Sequence, residues 1–316
     1  MQIGLDFKDI VLTPNVISTI PSRNGIDISS KIGSLKLTIP IIASPMKDVC
    51  NGYVQKTMHD IGAMGVLHRF STVEEQVKEY NYGYAAIGIN GDYIDRFNAL
   101  YDKGCRYFLL DVANCQNIIV KQALEELLKI HSVEFIIGNI SSEQCFKEIQ
   151  YWPGVVGLRV GVASGSACTT KNSTGVYTPM VSLINACQKI RTTQVAIIAD
   201  GGIKEASDFC KAIAVGADAI ILGGEIAKTT DSPAELIQQD GKYYKIYHGS
   251  ASFAIQKIYK EIPRYIEGEQ RLLPYNKETI SSLIQRYSDG IQSSMSYFNA
   301  RNIDQFHKNA NWTIVH

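Results

Sequence analysis

Short apolar runs alternate with longer segments of helical periodicity, and this alternation constrains the fold more than any other feature. The predicted strands are 39–44, 64–67, 84–89, 107–112, 134–137, 155–160, 195–199 and 219–222. The predicted helices are 53–61, 73–80, 93–101, 118–130, 143–150, 180–190 and 206–214. About eight such alternations with short connections indicate the α/β class and a parallel sheet closed into a (β/α)8 TIM barrel. An open doubly wound sheet is the alternative, and the count favours the barrel.

The ends of the chain lie outside this pattern. Residues 1–38 form an N-terminal extension without clear periodicity. The tail after Gly249 begins with a helix at 253–259, crosses a polar loop and ends with a helix near 280–287. Because no Pro/Gly/Ser-rich linker divides the sequence, we expect residues 1–316 to form a single catalytic barrel domain with a C-terminal flap and helix.

Net charge and cysteine content limit the binding partners and the cellular compartment that we expect for this protein. Thirty-one basic and 31 acidic residues cancel, so no global basic field favours nucleic acid or an anionic membrane. No signal peptide and no long apolar run are predicted. The seven cysteines are odd in number and scattered, which is typical of reduced thiols in the cytoplasm and argues against a disulfide framework or a zinc cluster.

The segment 161–170 follows the predicted strand 155–160 and consists mainly of small residues with one cysteine. Small residues let backbone amides approach a bound group closely. Ser166 is placed to donate to a phosphate, and Cys168, flanked by hydroxyl side chains, is placed as a nucleophile. The alternative is a tight turn with an inert buried thiol, because free cysteines are among the most buried residues.

Active sites of these barrels lie where strands end and loops begin. The other predicted strand ends carry Ser44-Pro45-Met46, His68-Arg69, Asp111-Val112-Ala113-Asn114, Gly138-Asn139, Asp200-Gly201-Gly202 and Gly223-Gly224. The Asp200 carboxylate suits paired ribose hydroxyls. The amides of the glycines, with Ser166, suit one phosphate without any lysine.

Four motifs together resemble the IMP dehydrogenase and GMP reductase family over nearly the whole chain. They are the opening 5–10, the loop 164–170, Asp200-Gly201-Gly202-Ile203 and Leu222-Gly223-Gly224. Within the family, the chain is similar to the reductases. Only a few residues separate Leu67 from Thr72, where the dehydrogenases usually insert a regulatory domain, and no long flap precedes Glu267-Gly268. The pair Arg264-Tyr265 instead resembles the dehydrogenases.

The resemblance implies NADPH-dependent conversion of GMP to IMP and ammonia, in purine salvage. The Cys168 thiolate would attack carbon 2 of the guanine and form a thioimidate, with Thr170 and Glu267 moving protons. The implied nucleotide-binding residues are Ser166, Asp200, Gly201, Gly202, Gly223, Gly224, Gly249, Ser250, Ala251, Arg264 and Gly268.

The resemblance also implies a cofactor site shared between subunits, hence a homo-oligomer, which in the family is a tetramer. The implied NADPH-binding residues are Arg69, Asp111, Val112 and Ala113, with Ser22, Arg23, Ser293, Ser294, Met295 and Ser296 of a neighbouring subunit. Arg23 and Arg69 are the candidates for the extra phosphate of NADPH. The carbonyls of Ala163, Gly165 and Cys168 are the implied site of a monovalent cation such as K⁺.

Several residues depart from the family pattern. They are Lys47-Asp48 after Met46, Cys115, Ala163, Glu225 and His248. We expect Glu225 to face away from the phosphate and His248 to pack. Three alternatives stay open: an IMP dehydrogenase without the regulatory domain, a nucleotide-binding homologue with weakened catalysis, and a barrel enzyme of phosphosugar chemistry.

Overall fold

The computed structural model describes residues 4–259 and 262–315, and its centre is a closed barrel of eight parallel strands. Three short strands come first: β1 (Ile10–Leu12), β2 (Ser30–Ile32) and β3 (Leu35–Leu37). The barrel strands are β4 (Ile41–Ala43), β5 (Met64–Leu67), β6 (Tyr84–Ile87), β7 (Tyr107–Asp111), β8 (Glu134–Ile140), β9 (Val155–Val160), β10 (Ala196–Asp200) and β11 (Ala219–Leu222). Each pairs in parallel with its neighbours, and β11 closes the ring on β4. The predicted (β/α)8 barrel is confirmed.

Helices surround this barrel. They are a 3₁₀ helix (Phe7–Asp9), α1 (Gly52–Asp60), α2 (Val73–Glu79), α3 (Tyr93–Asp102), α4 (Ile118–Ile130), α5 (Glu143–Ile149), α6 (Thr170–Thr174), α7 (Met180–Ile190), α8 (Ala206–Ala214), α9 (Gly224–Ala227), α10 (Phe253–Tyr259), α11 (Ile280–Tyr297) and α12 (Ile303–Asn309). Helix α11 packs against α8 and α1, so it takes the eighth place in the outer ring. Within the described ranges, no helix has the length and apolar character needed to cross a membrane.

The hairpin of β2 and β3 packs against the barrel interior. Its side chains Ile32 and Leu37 pack with Ile42, Leu109 and Ile198 of the barrel strands in one buried cluster. Each such buried aliphatic side chain contributes roughly 1.5–3 kcal/mol to the free energy of folding. The interior is therefore filled on the hairpin side, and the candidate site lies at the carboxyl ends of the strands.

Antiparallel strands outside the barrel were not predicted. An antiparallel sheet of β12 (Leu236–Gln239), β13 (Lys242–His248) and β14 (Gln270–Pro274) follows α9. Strand β14 replaces part of the predicted polar loop; four of its five residues are exposed, so no apolar alternation marks it. Strand β1 pairs with β15 (Trp312–Ile314), which ties the N-terminal extension to the C-terminal tail.

Candidate active site

Three side chains from distant parts of the chain form one hydrogen-bonded series. The Cys168 thiol lies after β9 and donates to the Thr170 hydroxyl, with Sγ and Oγ1 3.1 Å apart. The Thr170 hydroxyl in turn donates to the Glu267 carboxylate over 2.8 Å. The donor-to-acceptor direction runs from thiol to carboxylate, so the series is arranged to carry the thiol proton away from sulfur.

Backbone contacts hold Glu267 beside the cysteine loop. Cys168 and Gly268 form an antiparallel bridge, and the Thr169 amide donates to the Glu267 carbonyl over 2.9 Å. A Cβ at position 268 would lie 2.8 Å from the Ser252 amide nitrogen, closer than real Cβ atoms come. Glycine at 268 therefore lets this segment lie close to the backbone of Ser252.

The N-terminal motif supports the same loop from the side. The Asp6 carboxylate accepts from the Met180 amide at the start of α7 and from the Tyr177 hydroxyl, over 3.0 and 2.7 Å. Phe7 lies beside Gly202, with its ring 3.6 Å from where a Cβ would stand. The opening residues therefore anchor the segment between Cys168 and α7.

Asp200, the predicted ribose-binding carboxylate, is held by two side chains at the end of β10. Its Oδ2 accepts from Arg159 Nε and Nη2 over 3.0 and 2.7 Å and from Asn139 Nδ2 over 2.8 Å. These bonds fix the carboxylate plane. Arg159 was missed in the sequence because it lies inside β9, a run that otherwise reads as apolar.

Arg159 also links this carboxylate to the predicted cofactor residues. Its Nη1 donates to Asp111 over 2.7 Å, and Arg69 Nε donates to the other oxygen of Asp111 over 3.1 Å. Burial by itself would raise the pKa of Asp111, but Arg159 and Arg69 outweigh it and hold that pKa below its ordinary value. Asp111 is thus a carboxylate at neutral pH.

The predicted phosphate turn lies beside a tyrosine that the sequence analysis did not single out. A Cβ at Gly223 would lie 2.7 Å from the Tyr247 hydroxyl, and one at Gly224 would lie 3.5 Å from Ser166 Oγ. The Tyr247 hydroxyl donates to Met46 Sδ over 3.2 Å. Burial raises the pKa of Tyr247, so it remains a neutral donor.

Two cavities meet at the carboxyl ends of the strands. The cavity of about 510 Å³ is lined by Cys168, Thr170, Asp200, Gly249, Ser250, Ala251 and Glu267 among others. The second, of about 980 Å³, lies over β5 to β7. Arg69, Asp111, Val112 and Ala113 line both cavities. Cys168, Asp200 and Glu267 therefore lie in a space that adjoins the predicted cofactor residues. Six of the predicted nucleotide residues line neither cavity: Ser166, Gly201, Gly202, Gly223, Gly224 and Gly268.

Some predicted residues lie apart from these two cavities in the single chain. Arg23 pairs with Asp289 of α11 over 3.8 Å, and Ser18 donates to the Ser296 carbonyl. These contacts join the segment of Ser22 and Arg23 to the helix that carries Ser293 to Ser296, but neither segment lines the cavities. Arg264 is exposed and lines neither cavity.

Three of the departures from the family pattern, at Asp48, Glu225 and His248, have polar partners. Glu225 pairs with Lys228 over 2.6 Å. The His248 amide and ring Nδ1 lie 2.7 and 2.9 Å from Oδ2 of Asp48. Cys115 is buried, and burial raises the pKa of its thiol to about 12. These contacts account for Asp48, Glu225 and His248 within the protein itself.

In the predicted cation-binding loop, a residue other than glycine adopts a left-handed backbone conformation. Ala163 has a φ of 61°, which costs an alanine roughly 1–2 kcal/mol. The Gly165 carbonyl accepts from the Cys168 amide over 3.1 Å. Among residues 4–259 and 262–315, no group of three His, Cys, Asp or Glu residues is placed to hold a metal ion, so any cation site here depends on carbonyls.

Comparison with known proteins gives consistent matches along the chain. A family model described as the IMP dehydrogenase / GMP reductase domain matches residues 4–316. A GMP reductase of Chromobacterium violaceum is 29% identical over 93% of this chain and 92% of its own length. A GMP reductase of Lactobacillus delbrueckii is 29% identical over 99% and 95%. An inosine-5′-monophosphate dehydrogenase of Cryptosporidium parvum is 26% identical over 99% and 92%.

Proposed function

The chain belongs to the IMP dehydrogenase/GMP reductase family, and we propose that it is a GMP reductase that converts GMP and NADPH to IMP, ammonia and NADP. The observation that carries the proposal is the series from the Cys168 thiol through the Thr170 hydroxyl to the Glu267 carboxylate, inside a cavity. A nucleophile joined to a base through a hydroxyl is what attack on a purine carbon requires.

In this proposal the nucleotide lies in the smaller cavity. Arg159 and Asn139 donate to Oδ2 of Asp200 and fix the orientation of the carboxylate. Its other oxygen, Oδ1, accepts from the ribose hydroxyls. The phosphate lies at the turn of Gly223 and Gly224, where Ser166 and the Tyr247 hydroxyl converge. Gly249, Ser250 and Ala251 line the cavity on the side of Glu267 and contact the base.

The proposed chemistry begins with loss of the Cys168 proton through Thr170 to Glu267. The thiolate forms a bond to carbon 2 of the guanine, and the bond to the exocyclic amine breaks. The same proton returns through Thr170 to the leaving amine, which departs as ammonia and leaves a thioimidate on Cys168. NADPH, when bound, supplies the hydride that carbon 2 gains. The carbon–sulfur bond then breaks and the Cys168 thiolate is regenerated.

The larger cavity fits a dinucleotide, since its volume of about 980 Å³ lies at the upper end of the range for ligand pockets. Asp111, Val112 and Ala113 hold the nicotinamide end where the two cavities meet. Ser22, Arg23 and the segment of Ser293 to Ser296 act from a neighbouring subunit in this proposal, so the enzyme is a homo-oligomer, with a tetramer expected.

Further parts of the proposal concern the cation, the domain and the location. The carbonyls of Ala163, Gly165 and Cys168 hold K⁺, and residues 1–316 act as a single catalytic domain. The enzyme works in purine salvage in the cytoplasm. All seven cysteines lie in the described part of the chain, and each is a free thiol.

The second candidate is an IMP dehydrogenase without the regulatory domain, favoured by the relative from Cryptosporidium parvum. Product analysis tests the two functions. The protein is incubated with GMP and NADPH, or with IMP and NAD, and the nucleotides are separated by chromatography. Appearance of IMP from GMP supports the reductase, and appearance of xanthosine monophosphate from IMP supports the dehydrogenase. Absence of both products, with GMP still bound, would indicate a nucleotide-binding homologue.

A further inference from the structure

Lys47 lies in the loop between β4 and α1, and it is one of the residues that line the larger cavity. Its side chain is exposed. Among the residues described, no carboxylate lies within ion-pairing distance of its ammonium. Lys47 therefore presents an unneutralised positive charge to the cavity.

The residues on either side of Lys47 are held against strand β13. Met46 accepts from the Tyr247 hydroxyl over 3.2 Å, and Asp48 accepts from the His248 amide over 2.7 Å. These contacts fix the loop at two points. Lys47 lies between them and lines the cavity, so its backbone is positioned before any ligand binds.

The other cations of this cavity are already paired. Arg69 donates to Asp111 over 3.1 Å, and the buried Arg96 pairs with Asp92 over 2.7 Å. The lining also includes Glu74 and Glu75, whose negative charge repels an anion. In the described lining, Lys47 therefore supplies the positive charge that can attract a phosphate.

We propose that Lys47 binds a phosphate group of the dinucleotide cofactor, either the 2′-phosphate or the diphosphate bridge. The inference rests on the proposed function. It adds the residue that binds a negatively charged phosphate in the larger cavity. A lysine ammonium is a compact charge that binds phosphate without a fixed plane. For this task the sequence predicted Arg69 and, from a neighbouring subunit, Arg23. Within one chain Arg69 is paired with Asp111 and Arg23 does not line the cavity, so Lys47 is the cation that the subunit itself supplies.

Binding titrations without GMP test the inference, because no turnover can then occur. NADPH and NADH fluorescence is measured against the concentration of the wild type, Lys47→Met and Lys47→Arg. Lys103→Met is the matched control, since this exposed lysine caps the C-terminal end of α3 at the opposite end of the barrel. Thermal melting checks that every variant is folded.

We expect Lys47→Met to weaken NADPH binding about tenfold, with Lys47→Arg retaining most of the affinity and Lys103→Met all of it. Loss for NADPH alone identifies the 2′-phosphate, and equal loss for NADPH and NADH identifies the diphosphate. Equal binding by Lys47→Met and Lys103→Met would overturn the inference while leaving the reductase proposal intact. If neither the wild type alone nor Cys168→Ala with GMP bound binds a dinucleotide, the reductase proposal fails and this inference fails with it.

Discussion

The Thr170 hydroxyl lies 2.8 Å from the Glu267 carboxylate, although the two residues are 97 positions apart in the chain. The bridge between Cys168 and Gly268 brings their two segments together. The carboxylate reaches the thiol through this hydroxyl, so removal of its charge should slow proton transfer without disturbing the fold.

Glu267→Gln is expected to lower kcat by about 10²- to 10⁴-fold, because the amide keeps the hydrogen bond from Thr170 but cannot accept a proton. GMP affinity should change little. Steady-state kinetics with GMP and NADPH measures the effect. Glu269→Gln is the matched control, since Glu269 pairs with Arg271 on the exposed side. Equal loss of kcat in the two variants would remove Glu267 from the proton route.

Thiol reactivity should separate Cys168 from the buried cysteines. Burial raises the pKa of Cys105 to about 11 and the pKa of Cys187 and Cys210 to about 12, so these thiols are protonated at pH 8. Cys168 is partly exposed, as is Cys145. Brief treatment with iodoacetamide should therefore modify Cys168 and Cys145, as read by peptide mass spectrometry. GMP should protect Cys168 alone; modification of Cys168 that GMP leaves unchanged would contradict its place in the nucleotide site.

Arg159→Met should cost about 3–5 kcal/mol of the free energy of unfolding at pH 7, because it leaves the Asp111 and Asp200 carboxylates buried without their shared partner. Urea denaturation measures this cost. Arg286→Met removes an exposed pair with Glu278 and should cost less than about 1 kcal/mol. Similar losses of the free energy of unfolding in the two variants would show that the buried pairs of Arg159 contribute little to stability.

The cost of Arg159→Met should also depend on pH. The pKa of Asp111 is lowered in the folded wild type, so its contribution to stability is present above the unfolded value of about 3.9 and is lost as pH falls through the folded pKa. In the variant, burial favours the protonated acid. The unfolded state is the same for both proteins, so the difference in free energy of unfolding between variant and wild type should shrink as pH falls from neutrality through the raised pKa of the variant towards the lowered pKa of the wild type. A constant difference would contradict this explanation.

Tyr247→Phe tests the phosphate turn. The hydroxyl lies where a Cβ on Gly223 would clash, beside the turn that holds the phosphate in the proposed function. Its removal should weaken GMP binding by roughly tenfold or more, while guanosine, which lacks the phosphate, should bind as before. Isothermal titration of both ligands measures this difference. Tyr243→Phe, at an exposed position, is the control; an equal loss for GMP and guanosine would place Tyr247 away from the phosphate.

The sequence predicted most of the barrel, because strands buried on both faces read as apolar runs and the helices keep their periodicity. Several elements match their predicted bounds, such as β9 (Val155–Val160) and α4 (Ile118–Ile130). Strand β14 was missed because its exposed residues carry no apolar alternation. Helix α11 was predicted about ten residues too short, because Ser288, Asp289 and Gly290, which follow the predicted end, are weak helix formers.

The candidate site was predicted less completely than the fold. The series of Cys168, Thr170 and Glu267 joins residues that the family resemblance had singled out. Arg159 and Tyr247 carried no such signal, because each lies within a strand and its importance depends on partners far away in the sequence. A charged residue inside an otherwise apolar strand such as β9 is the signal that would have identified Arg159.

Absorbance at 340 nm tests the central claim most directly. Wild type and Cys168→Ala are each mixed with GMP and NADPH, and in parallel with IMP and NAD. We expect loss of NADPH absorbance with GMP in the wild type, and no change in Cys168→Ala although it still binds GMP. NADH formation from IMP in place of NADPH loss, or equal NADPH loss in Cys168→Ala, would contradict the claim.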